Sequence, residues 1–210
     1  MRLYLSSYKL GDHPEALSGM VRGERHGLVI ANALDGLDEA RRHGDTEREI
    51  EELAQLGLVA HDFDLREHDP ASIVHDFGEP DFLWVRGGNV FTLRAAMAKS
   101  GIDSVIVDGL RRDAFVYSGY SAGGCVLAPS LAGLELVDSV EEAAATYPEI
   151  TFDGLNILDR PVLPHLSSPD HPETAAVTEE AAHYDRLNQP YWALSDGQAL
   201  VVDGSTQTVI

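Results

Sequence analysis

The sequence predicts an α/β fold, a three-layer, doubly wound, mainly parallel sheet with a short antiparallel C-terminal extension. Three observations point to it. From residue 1 to about 130, short apolar runs alternate with helix-spaced segments, the rhythm of strand, crossover and parallel strand. The run Gly27 to Ala33 (GLVIANA) is continuously apolar, as a strand covered on both faces must be. Past residue 131 the rhythm loosens and ends in short runs broken by Asp196-Gly197 and Asp203-Gly204, turn pairs that join antiparallel strands.

Taken in order, Arg2 to Ser7 reads as the first strand and residues 12 to 24 as a helix with Leu17, Met20 and Val21 at helical spacing. Gly27 to Ala33 is the second strand, followed by a polar loop at 34–44. A helix is expected from Thr46, where Thr46 and Glu49 have the spacing of a capping box; Ile50, Leu53, Ala54 and Leu56 form its apolar stripe and Gly57 ends it. Leu58 to Leu65 is a strand, Ala71 to Phe77 a short helix, Phe82 to Val85 a strand and Val90 to Ser100 a helix. Ser104 to Asp108 fits an edge strand or a helix end, and Phe115 to Tyr120 is the strand before a glycine-rich turn. Leu134 to Val137 reads as a further strand and Pro172 to Leu187 as a helix; Tyr191 to Leu194, Ala199 to Asp203 and Gln207 to Ile210 read as short antiparallel strands. No linker or repeat divides the chain, so one domain over 1–210 is expected.

Composition narrows the function. The chain carries 35 acidic and 15 basic residues, net charge −20, and only two lysines, Lys9 and Lys99. Such a surface repels phosphate backbones, which argues against a nucleic-acid partner. No apolar run approaches ~20 residues and the amino terminus lacks the shape of a secretory signal, so no membrane partner and a cytoplasmic location are expected. A single cysteine, Cys125, excludes an intramolecular disulfide.

Chemistry is expected past the carboxyl ends of strands. In YSGYSAGG (117–124), Gly119 and Gly123 stand two residues either side of Ser121. Small residues there let a strand turn abruptly into a helix with the serine exposed at the apex, although the same spelling also occurs as a plain turn. Gly87-Gly88-Asn89 follows another strand, with Arg86 before it. A serine nucleophile needs a base, a carboxylate to orient that base, and two donors for the oxyanion. The donors expected are the N–H groups of Gly88 and Ala122. Of nine histidines, His165 is the preferred base because it ends an apolar run, with His171 the other candidate. Asp138 and Glu135 both follow the nucleophile segment and are the candidate acids. Arg86 and Asn89 are candidates for substrate binding. Cys125, one turn beyond Ser121, reads as a small buried hydrophobe. His165, Asp170 and His171 match no metal signature, so neither metal nor cofactor is expected.

Together the segments LYLSS (3–7), VRGGNVF (85–91), YSGYSAGG (117–124), LPHLSSPDHPE (163–173) and DGQALVV (196–202) resemble the peptidase E family of serine peptidases, the aspartyl dipeptidase group related to cyanophycinase. That resemblance implies a fold like class I glutamine amidotransferases, with Ser in place of their elbow Cys. It implies Ser121 as nucleophile, His165 as base and Gly88 with Ala122 as oxyanion donors. Distance from the serine favours Glu135 as the acid and the motif favours Asp138, which is preferred. It further implies a homodimer and hydrolysis of small peptides with an amino-terminal aspartate, for which Arg86 would supply a cation. Directly after Glu173-Thr174 the chain has Ala175-Ala176 and not the arginine that the resemblance leads one to expect of the enteric-type enzymes, so hydrolysis of a small peptide or isopeptide is the firmer implication. An amidase or esterase on the same scaffold, or a non-catalytic small-molecule binding protein, are the alternatives.

Overall fold

The structure, a computed structural model, describes residues 1–210. The chain opens with β1 (Arg2–Ser6), α1 (Pro14–Met20), β2 (His26–Ile30), α2 (Glu39–Gln55) and β3 (Val59–Asp62). Next come α3 (Ile73–Phe77), β4 (Phe82–Val85), α4 (Val90–Ser100), α5 (Ile102–Arg111), β5 (Val116–Tyr120) and the four-residue α6 (Ala122–Cys125). The remainder holds α7 (Val140–Thr146), β6 (Val162–Leu163), α8 (Thr174–Leu187), β7 (Trp192–Ala193), β8 (Ala199–Asp203) and β9 (Thr206–Val209).

Seven strands form one sheet in the order β3-β2-β4-β5-β1-β8-β9. The first five are mutually parallel, while β8 and β9 add antiparallel at one edge. Side chains alternate between the faces with a period of two. Leu3, Leu5, Leu83, Val85 and Tyr117 enter one hydrophobic cluster, which includes Phe91, Leu93 and Met97 of α4. Tyr4, Phe82, Trp84, Val116 and Tyr120 enter another, with Leu17 of α1 and Leu53 of α2. Helices thus cover both faces, and β5 lies between β4 and β1 with Tyr117 opposite Leu83 and Leu3.

Three elements differ from the sequence expectation, and in a fourth, 104–108, the helical alternative holds over the edge strand. Helix α2 begins at Glu39, with Asp38 as its cap accepting from Arg41 N at 3.0 Å. Its inward face is largely polar: Arg42, Asp45, Thr46 and Glu49 are all buried. The Glu49 carboxylate accepts from Trp84 Nε1 at 2.6 Å and Tyr120 OH at 2.8 Å, and the Thr46 hydroxyl donates back to Arg42 O instead of capping. An apolar stripe locates only the second half of such a helix. The segment 104–108 lies inside α5, and 134–137 holds a 3-10 turn at Leu134–Leu136 in place of a strand. Finally, β7 pairs in parallel with β6, away from the main sheet, instead of joining the antiparallel edge.

Candidate active site

Ser121 follows β5 directly, with φ 48° and ψ −120°, a backbone conformation that non-glycine residues seldom occupy unless the surroundings enforce it. The enforcement is visible in its neighbours. Gly119 and Gly123 both press their backbone on the Val85 carbonyl at the end of β4, and a Cβ on either would overlap that oxygen. Only two glycines allow the elbow to sit this close to the adjacent strand. The Gly87-Gly88 turn runs alongside: a Cβ built on Gly87 would stand 3.0 Å from Ser121 Cβ. The N–H groups of Gly88 and Ala122 donate to no protein carbonyl.

His165 arrives from the other direction. Strands β6 and β7 pair at Val162 with Trp192 and Leu163 with Ala193, and just past their carboxyl ends the chain presents His165 and Asp196. His165 Nδ1 lies 2.7 Å from Asp196 Oδ1. Ser7, immediately after β1, donates its hydroxyl to the same Oδ1 at 2.8 Å and accepts from His165 N at 2.8 Å. Asp196 N donates to Ser168 Oγ at 2.7 Å, and Leu166 N donates to Leu194 O at 3.0 Å. The two loops are therefore laced together and anchored to the main sheet through Ser7. A carboxylate on Nδ1 places the ring proton there and leaves the Nε2 lone pair free. Burial pushes the His165 pKa below its ordinary value, a shift that the hydrogen bond it donates to the Asp196 carboxylate opposes. A neutral imidazole is thereby favoured.

Ser121 and His165 line one cavity of about 800 Å³, together with Tyr8, Gly88, Arg41 and Asp138. That volume suits a small organic ligand. The hydroxyl–imidazole hydrogen bond is not formed in this structure; such bonds commonly tighten only around bound substrate.

Residues 41–210 match the model of Peptidase family S51. The chain belongs to peptidase family S51. It is 27% identical over 153 residues to an uncharacterized peptidase, Lmo0363, of Listeria monocytogenes, covering 72% of this chain and 71% of the relative. It is 30% identical over 142 residues to the peptidase E of Streptomyces coelicolor, covering 62% of this chain and 55% of that protein. Among solved structures, a putative peptidase E protein from Listeria monocytogenes superimposes with a TM-score of 0.81 at 22% identity, covering 100% of this chain and 97% of the other. A peptidase from an acI-B1 actinobacterium gives a TM-score of 0.72 at 16% identity, covering 100% and 86%. The fold expected from the sequence is thus shared with known peptidases.

Within this S51 chain several expected site residues have other occupations. Asp138 does not meet His165: its Oδ2 accepts from Val90 N at 2.8 Å, at the start of α4. Burial raises its pKa to about 7. Glu135 is exposed and accepts from Gly133 N at 2.7 Å. Both lie on the chain after the elbow, where distance along the sequence made them attractive, but the loops from β6 and β7 reach the histidine first. Arg86 lines the cavity yet is tied down by Asp45 Oδ2 at 2.9 Å, Glu49 at 3.4 Å and the Gly87 carbonyl at 2.7 Å. Asn89 caps α4, accepting from Phe91 N and Thr92 N at 3.0 Å and donating to Ser139 O at 2.8 Å. Cys125 is a buried thiol with its pKa driven up by burial, packed on Val162 O. The carboxylate that sequence reasoning missed, Asp196, was in view as half of a turn pair in DGQALVV. The signal that could have found it is its position just past an apolar run, the same criterion that selected His165.

Proposed function

We propose that this S51 peptidase hydrolyses small peptides by serine catalysis, with Ser121 as nucleophile, His165 as general base and Asp196 as the acid that orients it. The observation that carries the reading is the opening of the strained Ser121 elbow and the Asp196-held His165 onto the same cavity. As Ser121 Oγ bonds to the scissile carbonyl carbon, its proton passes to His165 Nε2. The carbonyl oxygen becomes an oxyanion, for which the Gly88 and Ala122 N–H groups are the available donors; one such donor is worth about 3 kcal/mol in the transition state. Collapse breaks the C–N bond, and His165 returns the proton to the departing amine. Water, deprotonated by the same nitrogen, then cleaves the acyl-enzyme ester. Asp196 stays ionised and holds the imidazolium.

An aspartyl side chain at the amino-terminal position would find its cation in Arg41, which lines the cavity and forms no ion pair, rather than in Arg86. A dipeptide library varied at the first residue measures this directly. Stoichiometric labelling of Ser121 by a serine-directed phosphonate, abolished in Ser121→Ala, supports the mechanism. Undiminished hydrolysis by Ser121→Ala refutes it.

A further inference from the structure

His165 has two further neighbours that the hydrolytic mechanism does not use. The His171 ring lies parallel to it, centroids 3.6 Å apart and planes within 1°. Glu173 Oε2 stands 3.8 Å from His165 Nε2, and one potential ligand atom from each of the three residues lies within 4.8 Å of the others. Neighbouring ligands about 2.0 Å from a tetrahedral zinc ion are themselves roughly 3.3 Å apart, so the three atoms are within reach of a closed set once the His171 ring has turned. We propose that His165, His171 and Glu173 form a binding site for a zinc-type divalent transition-metal ion on the wall of the Ser121 cavity, which all three line.

The backbone holds these side chains together. All three come from the stretch 165–173, which curls back on itself: Ser168 N donates to His165 O at 3.3 Å, His171 N to Ser168 O at 2.9 Å, and Thr174 Oγ1 to His165 O at 2.9 Å. Positive φ values at His165 (61°) and Ser167 (60°) make the reversal. Asp196 on Nδ1 is the outer carboxylate that histidine ligands characteristically have, fixing the tautomer that offers Nε2 to an ion. Two imidazoles and one carboxylate suit zinc, whereas magnesium and calcium demand oxygen donors. Three protein ligands leave the fourth position open to the cavity.

An ion lies in the plane of each imidazole it binds, so His171 must turn out of the stack about its Cβ–Cγ bond. It is half-buried, and the one hydrogen bond at its ring, from Glu173 N to Nδ1, is a long 3.3 Å. The turn gives up that bond, the stack on His165 and the edge contact with Tyr8, which two metal bonds replace. Nε2 of His165 is also the atom that takes the Ser121 proton in the proposed mechanism, so zinc occupancy and hydrolysis exclude one another. That consequence rests on the peptidase mechanism; the binding site does not.

The test is zinc titration of the purified 210-residue protein by calorimetry at neutral pH, with magnesium as the control ion. His171→Ala and Glu173→Gln should each weaken binding by more than about tenfold, given that loss of even an outer-shell partner weakens metal sites 10- to 100-fold. His43→Ala, an exposed histidine on α2 paired with Glu47, should bind as the unmodified protein does. Equal zinc affinity in the unmodified protein and in both ligand variants, or no zinc binding, overturns the site. Glu173→Gln changes a half-exposed side chain, so the question stays answerable if His171→Ala fails to fold. With a dipeptide substrate, zinc should inhibit the unmodified protein, and each ligand variant, compared with its own zinc-free rate, should need more than tenfold more zinc. Zinc bound at these residues by a protein that hydrolyses no peptide leaves the site standing and removes the peptidase mechanism. Hydrolysis without zinc binding does the reverse.

Discussion

Ser121 and His165 face one cavity but are held there by different kinds of structure. Ser121 stands at the end of β5, in the middle of a parallel sheet, where the backbone of β4 presses on both flanking glycines. His165 and Asp196 stand on a two-stranded pairing beside that sheet, and their placement depends on side-chain bonds through Ser7 and Ser168. The two regions also treat buried carboxyls differently. Glu49, under the main sheet, is bonded by Trp84 and Tyr120. Glu180, on the helix that follows the His165 loop, is fully buried with neither oxygen bonded, because the Tyr184 hydroxyl beside it donates to Ala132 O. A rigid nucleophile and a base platform laced by hydroxyls should respond differently to substitution.

The largest effect is expected at the nucleophile. Ser121→Ala should lower kcat by about 10⁶-fold with the fold intact, read by dipeptide hydrolysis and circular dichroism. Asp196→Asn comes next, at roughly 10⁴-fold, because the wrong tautomer then faces the serine. Asp138→Asn and Glu135→Gln on the same substrate should stay within about threefold, and a larger loss in either than in Asp196→Asn would return the acid's role to the elbow side.

Glu180 supplies a test of stability. Burial pushes its pKa from 4.5 up to about 7, so the folded state favours the protonated carboxyl. The stability this form contributes is complete below pH 4.5 and is lost as pH rises through about 7. Glu180→Met should therefore be more stable than the unmodified protein at pH 8, by on the order of 2–3 kcal/mol, with a smaller advantage at pH 5. Urea denaturation of both proteins at the two pH values measures the difference, and an advantage of equal size at pH 5 and pH 8 would show that Glu180 does not titrate in this range.

Smaller changes sharpen the contrast. Ser7→Ala removes the hydroxyl that joins Asp196 to the His165 backbone and should lower kcat by about tenfold through misplacement of the imidazole. Because burial lowers the His165 pKa, the acid limb of kcat/KM should fall below the ordinary imidazole value near 6.5. A limb above that value would mean that the Asp196 bond outweighs burial.

The chain's legibility follows the same division. Val90–Ser100 and Phe82–Val85 agree with the sequence reading at both ends, because continuous apolar runs and a helix closed by Gly101 are local signals. The Ser121 elbow was legible for the same reason: its glycines stand at fixed spacing around it. The first half of α2 was not, since its buried face is made of Arg42, Asp45, Thr46 and Glu49, whose partners lie on other elements. Asp138 looked like the acid by order along the chain, yet its carboxyl meets Val90 N across the start of α4. Arg86 looked free and is held by Asp45 and Glu49 of α2.

By itself the sequence determined the α/β rhythm, the elbow and the glycine turn beside it, because periodicity and the steric demands of a sharp turn act over a few residues. Only the tertiary structure decided which carboxylate meets His165, which cations remain unpaired and which side chains gather around the imidazole. Those outcomes depend on where β7 docks: a parallel partner for β6 carries Asp196 to the histidine, whereas an antiparallel edge strand would not. Strand partnership is a competition among distant segments for the same hydrogen bonds, and no short stretch of sequence records who wins it.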